Sequence, residues 1–254
     1  MKKSYIALLA CALCAGCQTS TRSISHSGYS EAGRAPTTDP GFEYRGELSE
    51  FDVLGISRGD LVSDAEIQSA LAKATGVRLH PGSSVLLIQS GALFPDGDMV
   101  SELGKHFRVV PFSGTPPSNK TANTPQSESL DPESYSKSLR LTAARSGSDV
   151  ILCYWGILES DNRNLPTKTV SWVPVVNWMV PDEVEHARIR LKLALIDVRS
   201  GNWTVFSPNP IESGRLSIRP RRGVADQKQV ESLKQKAYEA SVHDLVSRYS
   251  DVPI

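Results

Sequence analysis

The chain is poor in the groups from which active sites are built. Its 254 residues include four cysteines and five histidines. Cys11, Cys14 and Cys17 crowd the amino terminus and leave Cys153 alone in the remainder, so no disulfide framework is available to hold a fold together. Charge of either sign is not in excess: 28 basic side chains balance 28 acidic ones. That balance lacks the basic footprint of a nucleic-acid binder. The chain has no G-x-S-x-G, no P-loop, no G-x-G-x-x-G and no H-E-x-x-H. The histidines are scattered at His26, His80, His106, His186 and His243. Glu183, Glu185 and His186 cluster in sequence, but on a strand Glu185 and His186 point to opposite faces, which argues against a joint metal site. Cys153 sits in an apolar run with nothing to stabilise a thiolate, so it reads as a buried inert thiol. No cofactor and no metal are indicated, and a non-enzymatic protein is expected. A Ser-His-Asp triad assembled in space is the alternative.

What is present begins with the first seventeen residues. Lys2 and Lys3 precede an apolar run, Tyr5 to Leu13, and small residues close it. This is the layout of a secretory signal. As a helix, Ser4 to Ala15 would be about 18 Å long at roughly 1.5 Å per residue, against a bilayer core of about 30 Å. The segment is therefore too short to remain as a transmembrane anchor. Its end, Leu13-Cys14-Ala15-Gly16-Cys17, resembles a bacterial lipobox, with Cys14 in the place usually held by Leu. The resemblance implies cleavage after Gly16, a diacylglycerol thioether on Cys17 and acylation of the new amino terminus. Two or more acyl chains suffice for stable anchoring. Cys11, after Leu8-Leu9-Ala10, is a competing site with a shorter apolar run. Gln18 follows Cys17 where inner-membrane retention usually places Asp, so by resemblance to enterobacterial sorting the outer membrane is favoured, with the protein facing the periplasm.

Residues 17–47 are rich in Ser, Thr, Gly and Pro and read as a lipidated flexible tether, with a coil reach of roughly 30 Å. Residues 48–254 read as one α/β domain. Ser63 and Glu66 form a capping box, and Ile67, Ala70, Leu71 and Ala74 share the face of the helix that follows, with Gly76 as its stop. Val85 to Ile88 is a buried strand, Met99 to Lys105 a short helix and Phe107 to Phe112 a second strand. Ser113 to Ser129 is a long polar loop. Asp131-Pro132 opens a helix that Gly147 ends, and Val150 to Trp155 is a third strand. Ser160 to Asn164 reads as a polar loop. The apolar stretch Val170 to Val180 holds Trp172, Trp178 and Met179. It packs on the core, docks a partner or touches membrane, and those three residues are the candidate contacts. Val184 to Val198 alternates strictly, with Ala187, Ile189, Leu191, Leu193 and Leu195 on one face and His186, Arg188, Arg190 and Lys192 on the other. A turn through Gly201 then returns Trp203 to Phe206 as a hairpin partner. Ser213 to Gly223 carries Arg215, Arg219, Arg221 and Arg222 and reads as a solvated basic loop, an anionic partner being the alternative. A last helix from about Asp226 to Tyr249 lies across the sheet.

The fold class expected is α/β: a mixed sheet with helices packed on it, and a carboxy-terminal β-hairpin followed by a long helix. The order of elements resembles the fold shared by the amino-terminal domain of TolB, the curli secretion channel lipoprotein and the lipoprotein activator of penicillin-binding proteins. Val85 to Gln89, Leu139 to Trp155, the hairpin Arg188 to Val205 with its Asp197 to Gly201 turn, and the final helix carry the resemblance. It implies a lipid-anchored binding or scaffold module of the envelope. The membrane lipid on Cys17 and an envelope protein are the expected partners, and no nucleic acid is. Self-association into a ring, pore or secretion component is a further alternative.

Overall fold

The computed structural model describes residues 18–26, 46–57, 62–116, 132–164, 183–217 and 222–250. Cys11, Cys17, Trp172, Trp178 and Met179 lie outside the described residues, as do Asp131 and residues 117–129 of the polar loop.

The elements are, in order, strand β1 (Gln18–Ser23), a 3-10 turn (Ile24–His26), helix α1 (Glu50–Leu54), α2 (Asp64–Lys73), β2 (Ser84–Gln89), α3 (Gly97–Gly104), β3 (Arg108–Phe112), α4 (Pro132–Arg145), β4 (Val150–Asn164), β5 (Glu183–Asp197), β6 (Trp203–Phe206), β7 (Ile211–Ser217) and α5 (Arg222–Tyr249). They build one mixed seven-stranded sheet. Its axis is the antiparallel pair β4–β5, in register from Val150↔Asp197 to Asn164↔Glu183. At one half of that ribbon β2 runs parallel to both β3 and β4, and β6 pairs with β5. At the other half β1 pairs antiparallel with β4 and β7 antiparallel with β5.

Side-chain alternation along the strands sorts the core into two halves. Val85, Leu87, Val150, Leu152, Tyr154, Leu158, Ile189, Leu191, Leu193 and Leu195 point to one face. Met99 and Leu103 of α3 cover it, with Val230, Leu233, Ala237, Tyr238, Val242 and Leu245 of α5. Leu86, Ile88, Ile151, Cys153, Ala194 and Ile196 point to the other face, under Val53 and Leu54 of α1 and Leu139 and Ala143 of α4. Helix α5 has 28 residues, about 42 Å at 1.5 Å each, so it runs the length of the sheet. Among the described residues, the second face is covered only at the β2 end. Beyond it Arg188 and Arg190 meet Glu159, and Lys192 meets Glu50, at the surface.

The α/β class, the mixed sheet, the β5–β6 hairpin and the long final helix agree with the sequence reading. The turn of the hairpin is held by Asp197 Oδ1, which accepts from Ser200 N and Oγ at 2.6 Å each. Gly201 takes φ 78 there, and a Cβ on it would meet the Arg140 guanidinium at 2.5 Å. That guanidinium donates to the carbonyls of Val198 and Arg199, so the turn is clamped to α4. The capping box of α2 is present as expected.

Four expectations need correction. First, Gln18–Ser23, placed in the tether by the sequence reading, is a strand, and Ile24 behind it is 1% exposed; residues 27–45 lie outside the described set. Second, Ser160 to Asn164 is no loop but the continuation of β4, because β1 and β5 supply its hydrogen bonds and no apolar alternation is required of a rim. Third, β7 intervenes between the hairpin and the final helix and takes up Ser213 to Ser217, read as part of a loop. Fourth, α2 buries no residue: Ile67 and Leu71 are exposed, and the helix ends at an extended Ala74 without Gly76 turning left-handed.

Candidate functional site

The residues on which the sequence reading placed function, Cys17 and the candidate contacts Trp172, Trp178 and Met179, are outside the described set, but the strands that lead into them are within it. Gln18, one residue after Cys17, is opposite Asn162. Asn164, where β4 stops, is opposite Glu183, where β5 starts. Glu183 is in turn opposite Ser217, where β7 stops. Helix α5 begins at Arg222, after a link of four residues that follows Ser217. The roots of three separate sequence features therefore share one end of the sheet. They are Cys17, the candidate acylation site, the tryptophan-bearing stretch and the arginine-rich link.

β1 is tied down by close packing and by polar bonds. Gly156 of β4 has no room for a side chain: a Cβ would lie 2.5 Å from Ile24 Cδ1 and 2.6 Å from Leu191 Cδ2. The absence of a side chain there is what lets Ile24 enter the core. Beside it is a polar cluster that no sequence motif announced. Gln89, the last residue of β2, accepts from Tyr154 OH at 2.6 Å and from Asp96 N at 2.7 Å. Its amide donates to Ser25 Oγ at 3.1 Å, and Ser25 Oγ donates to the Ser90 carbonyl at 2.6 Å. Asp96 occupies the N-cap position of α3 without making a side-chain cap bond. Its carboxylate instead accepts from Tyr238 OH at 2.5 Å and Lys234 Nζ at 2.9 Å. Lys234 Nζ also donates to the Ile24 carbonyl at 3.0 Å. The rings of Tyr154 and Tyr238 meet edge-on, 5.9 Å between centroids.

Burial, followed by the nearby Asp96 charge, pushes the Tyr154 phenol well above its usual range. Burial, then the neighbouring Tyr154 and Asp96, does the same to Tyr238. Both are held as neutral donors, so the cluster acts as a clasp that fastens the Ile24–Ser25 segment to β2, α3 and α5. The sequence offered one faint signal for it, a glutamine closing an otherwise apolar strand.

At the opposite end of the ribbon is a hollow of about 760 Å³, lined by Arg78, His80 to Ser83, Ala144, Gly147 to Val150 and Asp197 to Arg199. It brings charges of both signs together at the surface. Asp149 Oδ2 accepts from Ser84 N at 2.9 Å, and the backbone N–H of Val198 donates to the Asp149 carbonyl at 3.0 Å. Of the other histidines, His26 closes the 3-10 turn, His106 lies against Phe107, and His186 and His243 are exposed on β5 and α5. Cys153 is wholly buried, and burial followed by the Glu47 charge raises its thiol well above the usual value. Among the described residues there is no group of His, Cys, Asp and Glu side chains placed to hold a metal ion, and no helix long and apolar enough to cross a membrane.

No curated protein matches the chain. The pattern of one family does, over residues 49–248, a stretch that runs from just before α1 to the last turn of α5. The protein is a bacterial envelope lipoprotein and belongs to the YafT bacterial lipoprotein family.

Proposed function

We propose that the protein is fixed to the cell envelope by lipid on Cys17 and works there by binding an envelope protein, without catalysing a reaction. The observation that carries the reading is the lipobox Leu13-Cys14-Ala15-Gly16-Cys17 directly ahead of a strand built into the fold. Gln18 after the acylation cysteine favours the outer membrane, with the domain in the periplasm. The reactive groups described above support a binding role. The one thiol of the domain is sealed in the core, the two central phenols are spent in the clasp, and the hollow is open and charged rather than deep and dry.

Mass spectrometry of the mature amino terminus tests the anchor. The expected product begins at Cys17 and carries a diacylglycerol and an acyl chain; a Cys17 still preceded by Gly16 in the exported protein overturns the reading. Photocrosslinking in living cells from Pro81 and Arg199 at the hollow tests the binding role, with one discrete protein adduct as the expected result.

A further inference from the structure

Helix α2 buries none of its residues, yet it carries an apolar stripe. At about 100° per residue, Ile67, Ala70 and Leu71 fall on one side of the helix, and Ala74 continues the row at its end. Ile67 is 47% exposed and Leu71 64%. A helix of ten residues is marginal in water without tertiary support. Within the chain its support is polar and lies at its two ends. The Ser63–Glu66 capping box holds the start, and Asn202 Nδ2 donates to Thr75 Oγ1 at 2.7 Å just past the last turn. Among the described residues nothing covers the stripe, and leaving two large aliphatic side chains in water forgoes the gain of burying them.

The charges beside the stripe fit one occupant. Glu66 is in the first turn of α2 and Lys73 in the last. Two helical turns separate them, so they lie on the same flank, within about 20° of each other, but about 10 Å apart along the axis. They cannot satisfy each other within one helix. They can do so across a two-fold axis that passes between Ser69 and Ala70. A second α2 laid antiparallel there sets Glu66 of each copy beside Lys73 of the other, twice. The same axis brings Ile67 and Leu71 of the two copies together at the centre, with Ala70 small enough for close approach. A parallel pair would set Glu66 against Glu66 and Lys73 against Lys73, and flanking charges of this kind fix orientation in helix pairs. Antiparallel macrodipoles add to the preference. We propose that α2 is a self-association surface, through which two copies of the chain pair isologously as antiparallel helices. The proposal goes beyond binding of an envelope protein and does not depend on lipid at Cys17. One ten-residue helix per copy buries less than the roughly 1,200 Å² of a standard stable interface, so the pair is a weak one that forms and dissolves with local concentration.

Disulfide trapping of the full chain, expressed in bacteria and oxidised mildly, tests the pairing. Ala70→Cys puts a thiol within bridging reach of the same residue across the two-fold axis. Ser69→Cys puts one at the same height on the opposite side of α2. Both positions are exposed, so neither change touches the core, and Cys153 is buried and does not compete. The expected product has twice the mass of the chain, exceeds the level given by the parent chain, and is several-fold more abundant for Ala70→Cys than for Ser69→Cys. Equal yields at the two positions, no gain over the parent, or an Ala70→Cys adduct of any other mass overturns the proposal. The charges are tested in the Ala70→Cys chain by two changes that leave the capping box intact. Lys73→Arg should preserve the yield. Lys73→Glu sets like charges together and should lower it several-fold, with far-ultraviolet dichroism unchanged. A yield that ignores Lys73→Glu overturns the antiparallel register.

Discussion

The two halves of the β4–β5 ribbon are built differently. At the β2 end the sheet is sandwiched, with α3 and α5 on one face and α1 and α4 on the other. At the β1–β7 end α5 still covers the first face, but among the described residues the second carries charged side chains, with Arg188, Arg190 and Lys192 exposed and Glu159 tucked beneath the two arginines. The same strand changes character as it passes from one region to the other. On β5 the residues of one face remain apolar throughout, Ile189 to Leu195. Those of the other face change from Ile196 and Ala194, buried, to Lys192, Arg190 and Arg188, exposed. Whether a helix covers the sheet decides the residue type, and strand periodicity alone does not.

The largest effect expected comes from alkali, which attacks the junction of the two regions. The Tyr154 and Tyr238 phenols are raised above the usual 10.0 by burial first. A tyrosine held above its unfolded value stabilises the fold fully below that value, and the contribution is lost as pH rises beyond it. The Tyr135 phenol, raised to about 12 mainly by burial, adds to the same loss between about pH 10 and 12. Phenolate absorbance and far-ultraviolet dichroism followed together should show the buried tyrosines ionising only as helix is lost; ionisation well ahead of that loss breaks the account of the clasp.

Next is the contrast between two isoleucines on the same face of β4. Ile151, fully buried under α4, should cost about 2–5 kcal/mol on substitution by Ala. Ile157, half-buried beyond the helices, should cost about 1 kcal/mol. Urea midpoints of Ile151→Ala and Ile157→Ala decide it, and equal shifts would erase the distinction between the regions. Gly156→Val overfills the site that Ile24 enters, at a cost of about 1–3 kcal/mol. Its signature is local: amide exchange should accelerate in Gln18–Ser23 while β2 and β5 keep their protection. The smallest effect belongs to Glu159. Burial alone would raise its carboxyl, but the hydrogen bonds from Arg188 and Arg190 outweigh that and hold it below the usual carboxylate range. Its contribution is present above the unfolded carboxylate value and fades as pH falls through the folded one. Because the pair is at the surface, Glu159→Gln should move the urea midpoint slightly at low salt and not measurably at high salt.

The sandwiched half of the fold was legible in the sequence because its segments obey local rules. Val85 to Ile88 is apolar on both faces, β5 alternates, the Ser63–Glu66 box starts a helix and Asp197 to Gly201 makes a turn. The other half was not. Thr19 to Ser23 and Ser160 to Asn164 are polar segments without apolar alternation, so nothing in their composition separates a strand from a loop. Helix α2 misled in the opposite sense: an apolar stripe through Ile67 and Leu71 promised packing, and the structure leaves it exposed. The clasp was invisible because Ser25, Gln89, Asp96, Tyr154, Lys234 and Tyr238 come from six places in the chain and become a group only once the sheet has formed. The strand that follows Cys17 was not legible at all.

The pairing of β1 with β4 also bears on the order of events during export. Ser20 and Ser160 are 140 residues apart in the chain, yet their hydroxyls are 2.7 Å apart in the fold. Closing so long a loop is entropically costly and favours late formation. The segment that follows Cys17 must wait for β4, 140 residues further along the chain, before it can dock. Throughout that interval β1 is unpaired, and on the proposed cleavage the bond ahead of Cys17 adjoins a segment not yet held in the sheet. Once β1 has zipped onto β4, the bond is one residue from a locked strand. On the proposed cleavage ahead of Cys17, the long sequence separation acts as a timer that leaves the processing site accessible until β4 has been made.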